Sequence, residues 1–295
     1  MRLTVLAALL VVSLGTDVAS AQSVVGASRT VPPQVVPGQY IVELQPGAAA
    51  DTVLRRHRLA PRARWRIING FAARMPDAAA SRLAMDPLVK SVAPDLVVEA
   101  SPRATTGRRV PDTPAICPLG VAPASAPGVK VAVLDTGIDD CHPELTGRVK
   151  GGINIVDPSR PPLDDHGHGT DIAAGMSGRG IVPGVSLYAV KVLNAAGRGL
   201  LSDVITGIDW AARHGMHVAN VSLGALDAWC YYFGICGASA ECSAISNAAA
   251  AGMTVIVAGG HPKGEAAFYT PANCADSIAL PAPDPASGTR LLAEP

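Results

Sequence analysis

The run Val131-Ala132-Val133-Leu134-Asp135-Thr136-Gly137 decides how this chain is read. Apolar residues without alternation, closed by a glycine turn, make a strand buried on both faces. That strand delivers an aspartate to its carboxyl end. Further on stands His166-Gly167-His168-Gly169-Thr170, a histidine pair in a glycine-rich turn. A carboxylate that orients an imidazole is two thirds of a charge relay, whose third member is a hydroxyl nucleophile.

The pattern around this stretch alternates between strand and helix. Thr170 to Met176 starts a helix, and Leu187 to Leu193 is the next strand. Ser202-Asp203 is placed to cap a helix carrying Val204, Ile205, Ile208, Trp210 and Ala211. Val218 to Leu223 reads as a strand, Ser243 to Ala251 as a helix and Thr254 to Ala258 as a strand. Repeated β-α-β units imply a parallel sheet with helices on both faces, and ligands at the carboxyl ends of its strands. Asp135, Gly224 and Gly259 are assigned to such ends.

The residues ahead of this pattern divide further. Met1 to Ala21 has a basic start, a short apolar run and an Ala19-Ser20-Ala21 cleavage form, so it reads as a signal peptide for export. The run is too short to span a bilayer, and no membrane role is expected. Residues 22–37 form a linker. Residues 38–99 read as a small α+β unit, β-α-β-α-β. Its elements are Gln39–Leu44, a helix over Ala48–Leu59, Trp65–Met75 with a turn at Asn69-Gly70, a helix capped by Asp77, and Val89–Val98. Residues 100–128 are proline-rich, contain Arg108-Arg109 and lack periodicity, as a processing linker would.

Lys and Arg total 24 against 24 Asp and Glu, so the balanced charge argues against a nucleic-acid surface. The apolar content of 48% excludes disorder. Six cysteines, at 117, 141, 230, 236, 242 and 274, favour disulfides in an exported chain. The three between 230 and 242 are expected to staple a surface loop. None has CxxC spacing, so no zinc site is expected.

Val133-Leu134-Asp135-Thr136-Gly137-Ile138-Asp139 with His142-Pro143-Glu144-Leu145, and His168-Gly169-Thr170, resemble the aspartate and histidine blocks of subtilisin-like serine proteases. Leu187–Leu193 and Asn220-Val221-Ser222-Leu223-Gly224 have the same family form. Gly38–Val42, Asn69–Ala73 and Val89–Asp95 resemble the family's inhibitor-like pro-domain, a small ferredoxin-like unit. The resemblance implies a secreted endopeptidase, extracellular or periplasmic, acting on protein or peptide substrates and restrained by its own pro-domain. It implies His168 as base, Asp135 as its orienter, and Ser222, Leu223, Gly224, Ala258 and Gly259 around the substrate. Residues 129–295 would then be the N-terminal part of the catalytic domain. The family's bound calcium has no assignable ligands in this sequence, and no other cofactor is implied.

Three departures stand out. Asp171 replaces a second histidine of the histidine block. Gly260 stands where the family has an asparagine that donates to the oxyanion, with His261 beside it. No Gly-Thr-Ser-Met-Ala nucleophile block follows, and Gly288-Thr289-Arg290 is a chance echo that places arginine at the nucleophile. The chain as written is therefore expected to stop short of the serine, to leave its sheet incomplete with an apolar face uncovered, and to be inactive. A non-catalytic pseudoprotease acting as a binding or inhibitory module is the alternative.

Two rival chemistries are weaker. An aspartic protease needs a second Asp-Thr-Gly to share a proton, and none occurs. His166-x-His168 with Asp171 lacks a distant histidine to complete a metal site. His166 is read as a solvated loop residue, His142 as hydrogen-bonded within its loop, and Asp139 with Asp140 as a solvated turn.

Overall fold

The computed structural model describes residues 33–101, 128–177, 185–227, 230, 239–259 and 268–280. The signal peptide, most of the linker, Arg108-Arg109, Cys117, Cys236, Gly260, His261 and the Gly288 string lie outside the described residues. The chain divides into two units, Met1–Leu96 and Val97–Pro295. Among the described residues no helix is long and apolar enough to cross a membrane.

The first unit runs β1 (Val35–Leu44), α1 (Ala50–His57), β2 (Pro61–Trp65), β3 (Gly70–Arg74), α2 (Asp77–Leu83), β4 (Val89–Ala100). The last four residues of β4 belong to the second unit. The strands form an antiparallel sheet in the order β4-β1-β3-β2. Alternation along β1 sends Tyr40, Val42 and Leu44 to one face, where they meet Phe71, Ala73 and Val92. Val53 and Leu54 of α1 and Ala80 and Leu83 of α2 close that core. This is the ferredoxin-like α+β unit expected, with two corrections. The Trp65–Met75 segment holds the end of β2, the turn and β3, so the strand expected there is the second part of a hairpin that starts at Pro61, and proline suits the first residue of a strand. Asp77 does not cap α2. It is the first helical residue, Pro76 is the cap position, and the Asp77 carboxylate accepts from Tyr40 Oη at 2.6 Å.

The second unit contains β5 (Lys130–Asp135), β6 (Val149–Asn154), α3 (His168–Ser177), β7 (Ser186–Lys191), β8 (Arg198–Leu200), α4 (Leu201–Arg213), β9 (Val218–Val221), β10 (Leu223–Leu226), α5 (Ala240–Ala250), β11 (Thr254–Ala258), β12 (Tyr269–Thr270) and β13 (Ser277–Leu280). Six strands form a wholly parallel sheet in the order β13-β11-β9-β5-β7-β6. Val131, Val133, Leu187 and Ala189 pack on Ala173 and Ala174 of α3. Leu134, Val190 and Val192 crowd Gly207 of α4, so close that a β-carbon there would lie 2.9 Å from Leu134 Cδ2. Odd and even residues of β5 thus meet different helices, and helices cover both faces as expected. The strand order turns back at β5, with β7 on one side and β9 on the other. That places the carboxyl end of β5 at the crevice such sheets use for ligands.

Several local expectations are corrected. Ser202 and Asp203 lie inside the first turn of α4, and Leu200 occupies its cap position. The strand expected over Val218–Leu223 breaks at Ser222, so Gly224 sits within antiparallel β10 rather than at a parallel strand end. Cys242 does not staple a local loop. It bridges to Cys274, tying α5 to the β12–β13 connection, while Cys141 and Cys230 are also in disulfides. On β13, Ile278 and Leu280 remain half exposed, an apolar strip on the sheet's outer strand.

Asp86 fastens α1 of the first unit. Burial raises its pKa, but hydrogen bonds from His57, the Leu88 amide and Arg56, with the Arg56 charge, outweigh burial and hold it down to about 2. A depressed carboxylate stabilises the fold above its unfolded value near 3.8, and that contribution is lost as pH falls through about 2. Asp86→Asn is therefore expected to flatten the acid limb of the stability curve in this window, as read by thermal unfolding at a series of acid pH values.

Candidate functional site

Asp135 ends β5 fully buried, and His168 opens α3 almost fully buried. His168 Nδ1 lies 2.8 Å and 2.9 Å from the two Asp135 carboxylate oxygens. The Thr136 amide donates to Asp135 Oδ1 at 2.7 Å, which fixes the carboxylate plane. The other ring nitrogen, His168 Nε2, faces Ser101 Oγ at 3.4 Å. A buried carboxylate on Nδ1 leaves Nε2 as the basic nitrogen, presented toward the cleft.

What brings the two blocks together is a residue the sequence reading passed over. Asp164 Oδ1 accepts from Thr136 Oγ1 at 2.8 Å and from the amides of His166 and Gly167 at 2.9 and 2.7 Å. Its Oδ2 accepts from the Thr170 amide and hydroxyl at 2.9 and 2.6 Å. Burial works against its charge, yet these hydrogen bonds prevail and lower its pKa. Thr136 Oγ1 accepts in turn from the Gly169 amide at 2.9 Å. Gly169 has to lack a side chain, because a β-carbon there would collide with Gly137 O and lie 3.1 Å from Asp135 Cβ. Lys191, buried at the end of β7, donates to Thr136 O and to Asp165 Oδ1 at 2.6 Å. The available signal was Asp164 shortly before the first helical residue, where an acid stabilises a helix start.

The groove beside His168 is built from two edges. Residues 97–100 pair antiparallel with β8 on one side, Val97 opposite Leu200 and Glu99 opposite Arg198. On the other side Ala100 faces Leu223 and Glu99 faces Gly224 of β10. The Ala100 amide donates to Gly197 O at 2.9 Å and the Ser101 amide to Ser222 O at 3.0 Å. A cavity of about 630 Å³ lies here, lined by Glu99, Ala100, Ser101, His166, His168 and the turn 196–198. Ser222, Leu223 and Gly224 thus lie against residues 99–101 beside His168. Ala258 ends β11 on the same sheet edge as Asp135, and the Gly259 amide donates to Leu280 O at 2.6 Å. β8 and Ser101 were missed, since three residues of strand give no periodic signal.

The remaining candidates behave as local structure. His142 Nδ1 accepts from the Glu144 amide at 3.3 Å within its loop. His166 is exposed as expected, yet it also lines the cavity, its ring centroid 6.3 Å from that of His168. Asp139, Asp140 and Cys141 cluster, but Cys141 is in a disulfide and Asp139 Oδ1 accepts from the Cys141 amide. Burial, then the Asp139 charge, raises the Asp140 pKa. Such a group does not fit the six to eight oxygens that calcium requires.

Behind β10 lies a second buried acid. Glu241 of α5 accepts from Thr270 Oγ1 of β12 through Oε2, while Oε1 has no hydrogen-bond partner among the described residues. Burial and, against the Thr270 hydrogen bond, the charge of Asp227 push its pKa up to about 8. Asp227 is itself anchored by Asn273 Nδ2 at 2.8 Å.

Comparison with known proteins follows the same division. The profile of the subtilase family (Peptidase S8) matches residues 126–289, and that of the peptidase inhibitor I9 matches residues 39–101. The extracellular serine proteinase of Thermus sp. (strain Rt41A) is 36% identical over 225 residues, 72% of this chain and 52% of that protein. Subtilisin BL of Lederbergia lenta is 37% identical over 184 residues, 57% of this chain and 64% of its own length. The chain thus spans roughly half to two thirds of these relatives. The solved structure of fervidolysin from Fervidobacterium pennivorans shares the fold, with a TM-score of 0.55 and 19% identity over 82% of this chain and 42% of that one.

Two substitutions probe this architecture. In Asp164→Asn, whichever end carries the amide faces backbone N–H groups that need an acceptor. The expected loss is about 1–3 kcal/mol in urea unfolding, with the downfield His168 Nδ1 proton signal broadened or lost. Glu241 holds a proton in the fold that the unfolded chain releases above about 4.5. Its contribution is complete below that pH and lost as pH rises through about 8. Glu241→Gln is expected to remove that decline, so that melting temperatures measured between these two pH values fall less steeply than in the wild type.

Proposed function

Because the chain belongs to the subtilase family of serine peptidases, with an inhibitor-type segment ahead of the catalytic fold, we propose that it is the precursor part of a secreted endopeptidase. The observation that carries this reading is the buried Asp135–His168 pair with Nε2 turned to a strand-lined groove. His168 takes the proton of a serine hydroxyl as that oxygen attacks the peptide carbonyl, then returns it to the leaving amine. Asp135 holds the tautomer and stabilises the imidazolium. Ser222–Gly224 binds the substrate as an added antiparallel strand, and Ala258–Gly259 forms the facing wall. Gly260 stands at the sequence position of the family's oxyanion asparagine, so a donor other than that side chain has to serve the oxyanion.

Residues 97–101 hold the place of a substrate in this scheme, so the pro-segment acts as the intramolecular inhibitor. The domains are then a signal peptide at 1–21, a linker at 22–37, the pro-domain at 38–99, a processing linker at 100–128 and catalytic fold at 129–295. The Thermus relative's extracellular description, the leader-like start and the disulfides all support export.

A second reading is a non-catalytic binding or inhibitory module. It is favoured by glycine standing at position 260 in place of the family's asparagine and by Ser101 Oγ resting against His168 Nε2. The two part on activity. A chain extended through a Gly-Thr-Ser block is expected to hydrolyse a generic peptide substrate, with turnover abolished in His168→Ala. A polypeptide limited to residues 1–295, which contains no such block, is expected to hydrolyse none. Turnover that survives His168→Ala would overturn the triad assignment, and an inert extended chain would leave the binding module.

A further inference from the structure

Arg198 opens β8 opposite Glu99 in the antiparallel ladder, and its Nη2 lies 2.7 Å from Glu99 Oε1. Glu99 is held on its other edge by Gly224, so its backbone is fixed from both sides. The turn that presents Arg198 is equally constrained. Asn194 Oδ1 accepts from the amides of Ala196 and Arg198 at 2.9 and 3.1 Å. The Asn194 amide donates to Arg198 O at 2.8 Å, and Gly197 turns the chain at φ +70° beneath the His166 ring. The backbone of Arg198 is therefore fixed, and its half-exposed guanidinium puts a positive charge opposite one register position of the strand in the groove. Of the described residues lining the cavity, Glu99 alone is acidic, whereas His166, His168 and Arg198 are basic types.

We propose that Arg198 is a specificity-determining residue. The groove prefers a peptide strand with an acidic side chain two residues before the one whose amide reaches Ser222 O. This rests on reading the groove as the peptide-binding cleft and adds the substrate class to it. Charge complementarity of this kind discriminates among ligands more than it adds affinity, because a wrong charge at the same register is repelled. The two side chains are 55% and 48% exposed, so solvent limits the effect to about two- to fivefold in occupancy, further reduced by salt.

Hydrogen exchange on the full chain tests this, using the strand the protein already carries as ligand. The Ala100 and Ser101 amides report occupancy, and the β5 and β7 amides report folding. At low salt, Glu99→Gln, Glu99→Lys and Arg198→Glu are each expected to speed exchange at Ala100 and Ser101 about two- to fivefold, with β5 and β7 unchanged. Combining Glu99→Lys with Arg198→Glu is expected to restore protection, and added salt to shrink all of these differences. Single variants that exchange like the wild type, or a double variant no better than the worse single one, overturn the charge selection alone. A wild type without protection at Ala100 and Ser101 overturns the groove reading, and the selection with it.

Discussion

The Asp164 carboxylate accepts five hydrogen bonds, from Thr136 on one side and from the His166–Thr170 turn on the other. Without that common acceptor, the loop after β5 and the start of α3 would be joined by the Asp135–His168 pair and two hydrogen bonds, from the Gly169 amide to Thr136 Oγ1 and from the Asp139 amide to Thr170 Oγ1. A histidine and an aspartate left to find each other across two flexible turns would be a weak, solvent-screened pair. Here Asp135 and His168 inherit their geometry from backbone amides anchored to a third carboxylate, and Gly169 lets the helix approach closely enough for the ring to reach. Burial raises the stakes in the same way at each group. An unpaired carboxylate at Asp164 would be costly, so its full complement of donors makes this arrangement unique rather than one of several.

A different kind of bond governs the groove. Its two rims, β8 and β10, bind an occupying strand through main-chain groups, which every peptide carries. Such a groove accepts a backbone before it reads a side chain. If the groove selects among peptides, it has to do so through the few side chains along the rims, and the hydrogen-bonded turn at Asn194–Arg198 is one place where the backbone carrying such a side chain is fixed. The buried Glu241 behind β10 adds a non-local element, because an acid shut off from solvent, with no counter-charge among the described residues, makes the packing there depend on its proton.

The larger features of the chain were legible because each had a local physical signature. Apolar runs ending at glycine gave β5 and β11, an apolar run alone gave β7, and apolar spacing gave α4. Asp135 and His168 could be picked out because their turn residues are unusual. What escaped depends on partners distant in sequence. Asp164 looked like one of two loop acids until Thr136 and Thr170 were seen to converge on it. β8 is too short for any pattern and exists because a strand lies beside it. Ser202 and Asp203 look like helix caps, but α4 starts earlier, and both are buried in its first turn. The break at Ser222 could not be read from composition, since Val218–Leu223 is apolar throughout except at Asn220 and Ser222.

The same strand β4 also sets an order of events on the ribosome. Twelve residues long, it places its first part against β1, which has already been made when it emerges. Its last residues have no partner until β8 and then β10 have been synthesised. During that interval two bare edges would invite pairing with a neighbouring nascent chain. Docking the first part of β4 onto the early three-stranded sheet tethers the remainder, so the newborn groove meets a strand of its own chain before it meets one from another.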